Sequence, residues 1–271
     1  MVKQFRRQED VDGCACLECR NVRSGTMRRR LGDILLWAVG FLRTHPSVPL
    51  LFLALAVVQF VGHLSSLWIE LALAPALLVG GLFARSYTSV LAAGSLSNRR
   101  YTRRETARYT LRRLPTVLAI VLVQGVATMA LLIGGIFVGV LMLLAGRLWF
   151  LVGGILGLVA IVGLLIVVWV KFVLAMDAAL VGGYGPIASL RVSWGIVSFR
   201  RRTTILLVGL LITIPFGFLL AELSAVTDPY PVLGNARVRH VVFGMSNAVT
   251  FLSTAVTALV FCHVYVQGVL D

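Results

Sequence analysis

The chain reads as an all-α integral membrane protein with six transmembrane helices, arranged as three hairpins that are each preceded by a short basic amphipathic helix. Three observations predict this. Hydrophobic residues make up 59% of the 271 positions and charged residues 13%, whereas a soluble domain runs at about 45–50% and about 25%. The apolar residues fall in runs that reach the ~20 residues needed to cross a hydrocarbon core. The basic residues, 25 Lys plus Arg against 11 Asp plus Glu, collect between those runs, a distribution that marks membrane orientation rather than nucleic-acid binding.

Residues 1–26 read as a basic, disordered leader and residues 27–271 as the six-span membrane domain. The leader carries Cys14, Cys16 and Cys19 as C-x-C-x-x-C. Three thiolates suit zinc or a cluster, but a closed structural zinc site takes four ligands. His45 and Cys262 are the nearest further donors, the latter inside the last span. A bland leader with Met27 as the working start is therefore favoured over metal binding, and no cofactor is expected.

The first amphipathic segment, 31–43, places Leu31, Ile34, Leu35, Ala38, Phe41 and Leu42 on one helical face. Spans follow at 46–64 and 67–93, separated by Ser65 and Ser66. In the second segment, 102–114, Thr102-Arg103-Arg104-Glu105 has the form of a capping box. Arg104, Arg108 and Arg112 then line one stripe at four-residue steps. Spans at 116–145 and 148–176 turn around Gly146 and Arg147. In the third segment, 187–202, Ile187, Leu190, Trp194 and Val197 form the apolar face. The last spans, 203–221 and 241–266, are joined by a longer loop containing Asp228-Pro229-Tyr230-Pro231. Pro75 and Pro215 lie inside spans, where neighbouring helices accommodate the freed carbonyls. Amphipathic helices of this kind either lie in the headgroup plane with arginines on lipid phosphate or extend the spans into the cytosol; the first is favoured, so anionic headgroups at the cytoplasmic face are the expected partner of Arg104, Arg108 and Arg112.

Orientation follows from arginine. The segment before the first span, the 97–115 connection and the 177–202 connection are rich in it, whereas the opposite side offers only Arg147, Arg237 and Arg239. Both termini are therefore expected on the cytoplasmic side of the cell membrane.

The stretch from Asp177 through Gly182-Gly183-Tyr184-Gly185-Pro186 to Trp194, followed by a basic break and a new span, resembles the central signature of a group of uncharacterised haloarchaeal multi-pass membrane proteins. That group is similar to the membrane domain of glycerophosphoryl diester phosphodiesterases. The resemblance covers residues 27–271 and implies six spans and cell-membrane residence. It implies no activity, because the chemistry of those phosphodiesterases lies in a soluble domain that is not found in these residues.

Polar residues inside spans are costly in hydrocarbon and mark the places to search for function. Ser246, Thr250, Ser253 and Thr257 share one face of the last span, flanked by Asn247 and Thr254. Gln59 with His63 and Gln124 with Thr128 add polar pairs on the first and third. This face reads either as a hydrophilic path or as ordinary interhelical hydrogen bonding, and the second is favoured. Gly135-x-x-x-Gly139 and Gly153-x-x-x-Gly157 fit close packing of the central hairpin. Arg85 is the candidate partner of Asp177 at the cytoplasmic rim, with the equal alternative that Asp177 faces water or caps the following helix, whereas Lys171 snorkels outward on its own. The chain has no P-loop, G-x-S-x-G or H-E-x-x-H, and His45, His63, His240 and His263 are scattered. The expectation is accordingly not an enzyme but a packing or lipid-organising component. A transporter or permease subunit with a polar path along the last span is the alternative, and a membrane-embedded enzyme comes behind it.

Overall fold

The computed structural model describes residues 9–10, 13–14, 30–65, 67–96, 101–144, 147–197 and 236–270. The expected span at 203–221, Cys16, Cys19, and the loop with Asp228 lie outside the described residues. Apart from a short antiparallel pairing of β1 (Glu9–Asp10) with β2 (Gly13–Cys14), the described elements are helical. Among the described residues, four helical stretches are long and apolar enough to cross a membrane: Leu71–Leu96, Arg103–Phe137, Gly163–Leu180 and Gly244–Val269. Leu31–Thr44 and Ser47–Gly62 make a fifth if that bent pair counts as one span.

Helix α1 (Leu31–Thr44) buries Ile34, Ala38 and Phe41, the face anticipated from their spacing. Its first turn is closed by the Arg30 amide donating to Asp33 at 3.3 Å. The chain then turns through 84° into α2 (Ser47–Ser65). Pro46 causes the break, since the residue before a proline is pushed out of the helical region and His45 accordingly sits at φ −121°, ψ 71°. Helix α3 (Leu67–Leu96) packs along α2, and a Cβ added at Gly80 would lie 2.8 Å from Leu55 Cδ2.

Helix α4 runs unbroken from Arg103 to Leu144. The segment 102–114 is therefore not a separate interfacial helix but the first turns of the helix that continues into the apolar run. Pro115 lacks the amide that would donate to the Leu111 carbonyl, yet the helix continues through it. The capping box is formed as read: the Thr102 amide donates to Glu105 Oε2 at 2.9 Å and the Glu105 amide to Thr102 Oγ1 at 3.3 Å. Only 11% of the apolar window of α4 is buried, the smallest share among the four stretches.

Helix α5 (Arg147–Phe172) packs against α4, and Gly135 abuts Ile161 so closely that any Cβ there would collide. Gly157, by contrast, faces open space, so small-residue packing holds at one of these glycines and not at the other. The chain breaks at Val173–Leu174 and resumes as α6 (Ala175–Leu180), whose six residues are all buried. It ends in a turn where Gly183 adopts φ 70°, a conformation that costs glycine nothing.

Helix α7 (Pro186–Ile196) divides the expected apolar face, with Val197 just after it buried and Leu190 packed against the core. Ile187 is 74% exposed and Trp194 48%, while Ser189, Ser193 and Ile196 are buried. Small serines let α7 approach α5 closely enough for Ser193 Oγ to donate to the Lys171 carbonyl at 2.7 Å. Helix α8 (Ala236–Leu270) is the hub, packing on α1, α2, α3, α6 and α7. Burial concentrates at one end of the bundle. Buried residues concentrate in 84–93 of α3, 173–180 around α6, and 255–266 of α8, though Arg85 and Val256 are only partly buried, with Val117 and Ile120 of α4 beside them.

Candidate functional site

At that end lies a cluster of buried polar side chains drawn from α3, α6 and α8. Arg85 and Ser89 are one helical turn apart on α3, with Ser86 adjacent; Asp177 is on α6; Cys262 and Tyr265 lie three residues apart on α8. Asp177 is 1% exposed, and neither carboxylate oxygen has a hydrogen-bond partner. The partly buried Arg85 is close enough to interact with it electrostatically, yet its Nη2 is likewise without a hydrogen bond. Structure thus brings the two residues of the candidate ion pair into each other's field, but in the interior rather than at a wet rim, and without direct contact between hydrogen-bonding atoms.

The surroundings are specific. Ser89 lies alongside Asp177, short of a well-formed bond, and the Ser89 carbonyl accepts from Cys262 Sγ at 3.3 Å. Arg85 also stands 5.8 Å from the ring centroid of Phe261, which meets Trp169 edge-on at 6.2 Å. Tyr265 is fully buried with its hydroxyl unbonded, pressed against the turn after α6. A Cβ at Gly182 would come within 2.6 Å of Tyr265 Oη and of Tyr184 Cε2, so only glycine fits there. In the same turn, burial pushes the Tyr184 hydroxyl up from its ordinary value and keeps it a donor at neutral pH. Tyr109 of α4 closes the far side by donating to the Leu180 carbonyl at 2.7 Å.

The polar face of α8 is bonded mostly to its own helix. Thr250 Oγ1 donates to the Ser246 carbonyl at 2.8 Å, Ser253 Oγ to Thr250 at 2.8 Å, and Thr257 Oγ1 to Ser253 at 2.7 Å. Interhelical bonding falls to the flanking Asn247, whose Nδ2 donates to the Ala56 carbonyl of α2 at 3.0 Å. Gln124 reaches across to the Phe172 carbonyl of α5 at 2.9 Å, and Gln59 is half-buried on α2. These side chains are thus distributed over separate helix contacts rather than gathered along one path.

Lys171 departs from the expectation that it snorkels alone. Its Nζ donates to the carbonyls of Trp194 and Val197 at 3.1 and 3.2 Å and stands 4.9 Å over the Trp194 ring. A cation at the carbonyl end of α7 is favoured by the helix dipole, a signal that three-dimensional proximity alone reveals. His263, fully buried, meets Trp37 of α1 edge-on at 5.5 Å.

At the start of α4, Arg104, Ala107, Arg108, Leu111 and Arg112 line an open groove along the helix surface. Among the described residues no three His, Cys, Asp or Glu side chains converge as metal ligands. The fold and these sites define a bundle of apolar, membrane-crossing type with a polar cluster inside one end. Comparison with family models, with curated proteins and with solved structures finds no match to the chain.

Proposed function

We propose that the chain is a six-span protein of the cell membrane, its helices paired as three hairpins and both termini cytoplasmic, with a non-catalytic role in organising anionic lipid at the cytoplasmic face. Helix α4 carries the reading. Its flank leaves Leu122, Val126, Met129, Ile133, Ile136 and Phe137 more than half exposed. The same rod begins in the groove of Arg104, Arg108 and Arg112. One helix therefore offers a surface for acyl chains and, at its end, guanidinium groups suited to bidentate contact with phosphate. The likeness of 177–194 to haloarchaeal multi-pass proteins belongs to the same proposal and rests on that motif alone.

The test is reconstitution of the purified chain into vesicles of phosphatidylcholine with and without phosphatidylglycerol, followed by thermal unfolding. Anionic lipid should raise the midpoint, at about 1 kcal/mol for each engaged arginine. The triple variant Arg104→Gln, Arg108→Gln, Arg112→Gln should lose that increment. Equal midpoints in the two vesicles, or an increment retained by the triple variant, would reject the role.

A further inference from the structure

We propose that Asp177 is a proton-binding site inside the bundle, one that takes up and releases a single proton while Arg85 shifts its charge between Asp177 and the face of Phe261. This goes beyond the lipid-organising role and does not depend on it.

The argument begins with unmet polar atoms. Both oxygens of Asp177, Nη2 of Arg85, Oγ of Ser86 and Oη of Tyr265 are buried with no hydrogen bond. A buried polar atom left in this condition is costly, and a bundle that retains several together has a use for them or fills them transiently. Ser89 lies alongside the carboxylate, with Cys262 and Tyr265 near enough to feel its charge.

Neither protonation state is locked by these surroundings. With the carboxylate ionised, Arg85 supplies the balancing charge but no hydrogen bond reaches the oxygens. Protonation converts the carboxylate to an acid with one O–H donor, which a hydroxyl or carbonyl beside it accepts. The proton comes from water and returns to water, so nothing is oxidised or reduced. Arg85 then retains the Phe261 ring, already 5.8 Å from its guanidinium, as a second place for its charge. An ionisable group with two such alternatives inside a membrane protein is suited to proton coupling.

The charged and titratable groups around Asp177 are few. Helix α3 contributes Arg85, and α8 contributes Cys262 and Tyr265, with His263 turned to Trp37 of α1. Helix α4 contributes Tyr109, bonded to Leu180, and Arg113, whose Nη2 lies near Gly183. Tyr184 occupies the turn, Lys171 of α5 is engaged with α7, and Arg191 of α7 is exposed. Arg85 is thus the cation facing the carboxylate.

Infrared difference spectra of the full-length chain in phospholipid nanodiscs, recorded across a pH titration, test the proposal. A carboxylic C=O band should rise with a one-proton profile on acidification and vanish in Asp177→Asn. In Arg85→Gln its midpoint should move upward by about one pH unit or more, because the cation favouring the ionised form is gone. Should Asp177→Asn fail to fold, Asp177→Glu serves instead, and its band must shift in frequency. No Asp177-dependent band at any pH, an amplitude that does not change with pH, or a midpoint unmoved by Arg85→Gln would each overturn the assignment.

Discussion

Lys171 holds the carbonyl end of α7 through the Trp194 and Val197 carbonyls. Lys171→Met keeps the aliphatic stem but removes the charge and both bonds, and should lower stability by about 1 kcal/mol, discounted for partial exposure. Thermal unfolding in detergent measures it; an unchanged midpoint would mean that the contacts carry no net energy. Gly182 gives a sharper test because its space is already filled. Gly182→Ala should destabilise by about 1–3 kcal/mol through overpacking against Tyr265 Oη, Tyr184 and the Ala178 carbonyl. Combining it with Tyr265→Phe removes one of the three obstacles, so the double variant should recover part of the loss, whereas simple additivity would place the strain elsewhere. For Arg85 and Asp177, detergent stability of Asp177→Asn, Arg85→Gln and their combination should be non-additive, reflecting the electrostatic interaction between them.

Among the elements, α4 shows where sequence reading succeeds and where it stops. Thr102 and Glu105 announced its start, since a capping box is a local pattern of residues three apart. Its continuity through Pro115 was not legible, because a proline ends a helix or not according to what its surroundings do for one carbonyl. Pro115→Ala should therefore leave the helix intact and raise stability, by up to about 3 kcal/mol with the restored bond; a fall in thermal midpoint would show that the proline shapes a necessary bend. On α7 the apolar face is divided, with Ile187 and Trp194 exposed and Val197 buried. Apolar residues face inward only where the interior is drier than the outside, and for a helix against lipid Ile187 and Trp194 gain as much by facing out. Helix α8 carries its hydroxyls along one face, but that they bond mostly within the helix while Asn247 crosses to α2 depended on the neighbour. Asn247→Leu should cost about 1 kcal/mol by removing the bond to Ala56.

For the whole molecule, the proposed orientation rests on the arginine distribution. In intact cells, a membrane-impermeant thiol reagent should reach cysteine replacements at Ser65 and Asn235 and should not reach one at Ser97. Labelling at Ser97 from outside would invert the topology and place the Arg104, Arg108 and Arg112 groove on the wrong face for the proposed lipid role. The buried polar cluster occupies the end of the bundle that this orientation places toward the cytoplasm. Proton exchange at Asp177 would accordingly occur from that side, past the Gly182–Tyr184 turn.

Composition and local pattern were sufficient, without any structure, for the helical class, the long apolar runs, the apolar stripe of α1 and the capped start of α4. These are additive properties of residues near one another in sequence: hydropathy sums along a run, and periodicity needs only a few turns. Tertiary structure decided the rest. Asp177 is buried because α3 and α8, remote in sequence, close over α6, and Lys171 is engaged because α7 returns to meet it. Proximity between distant segments depends on how helix surfaces pack, and packing is a relation between elements that no single stretch of sequence contains.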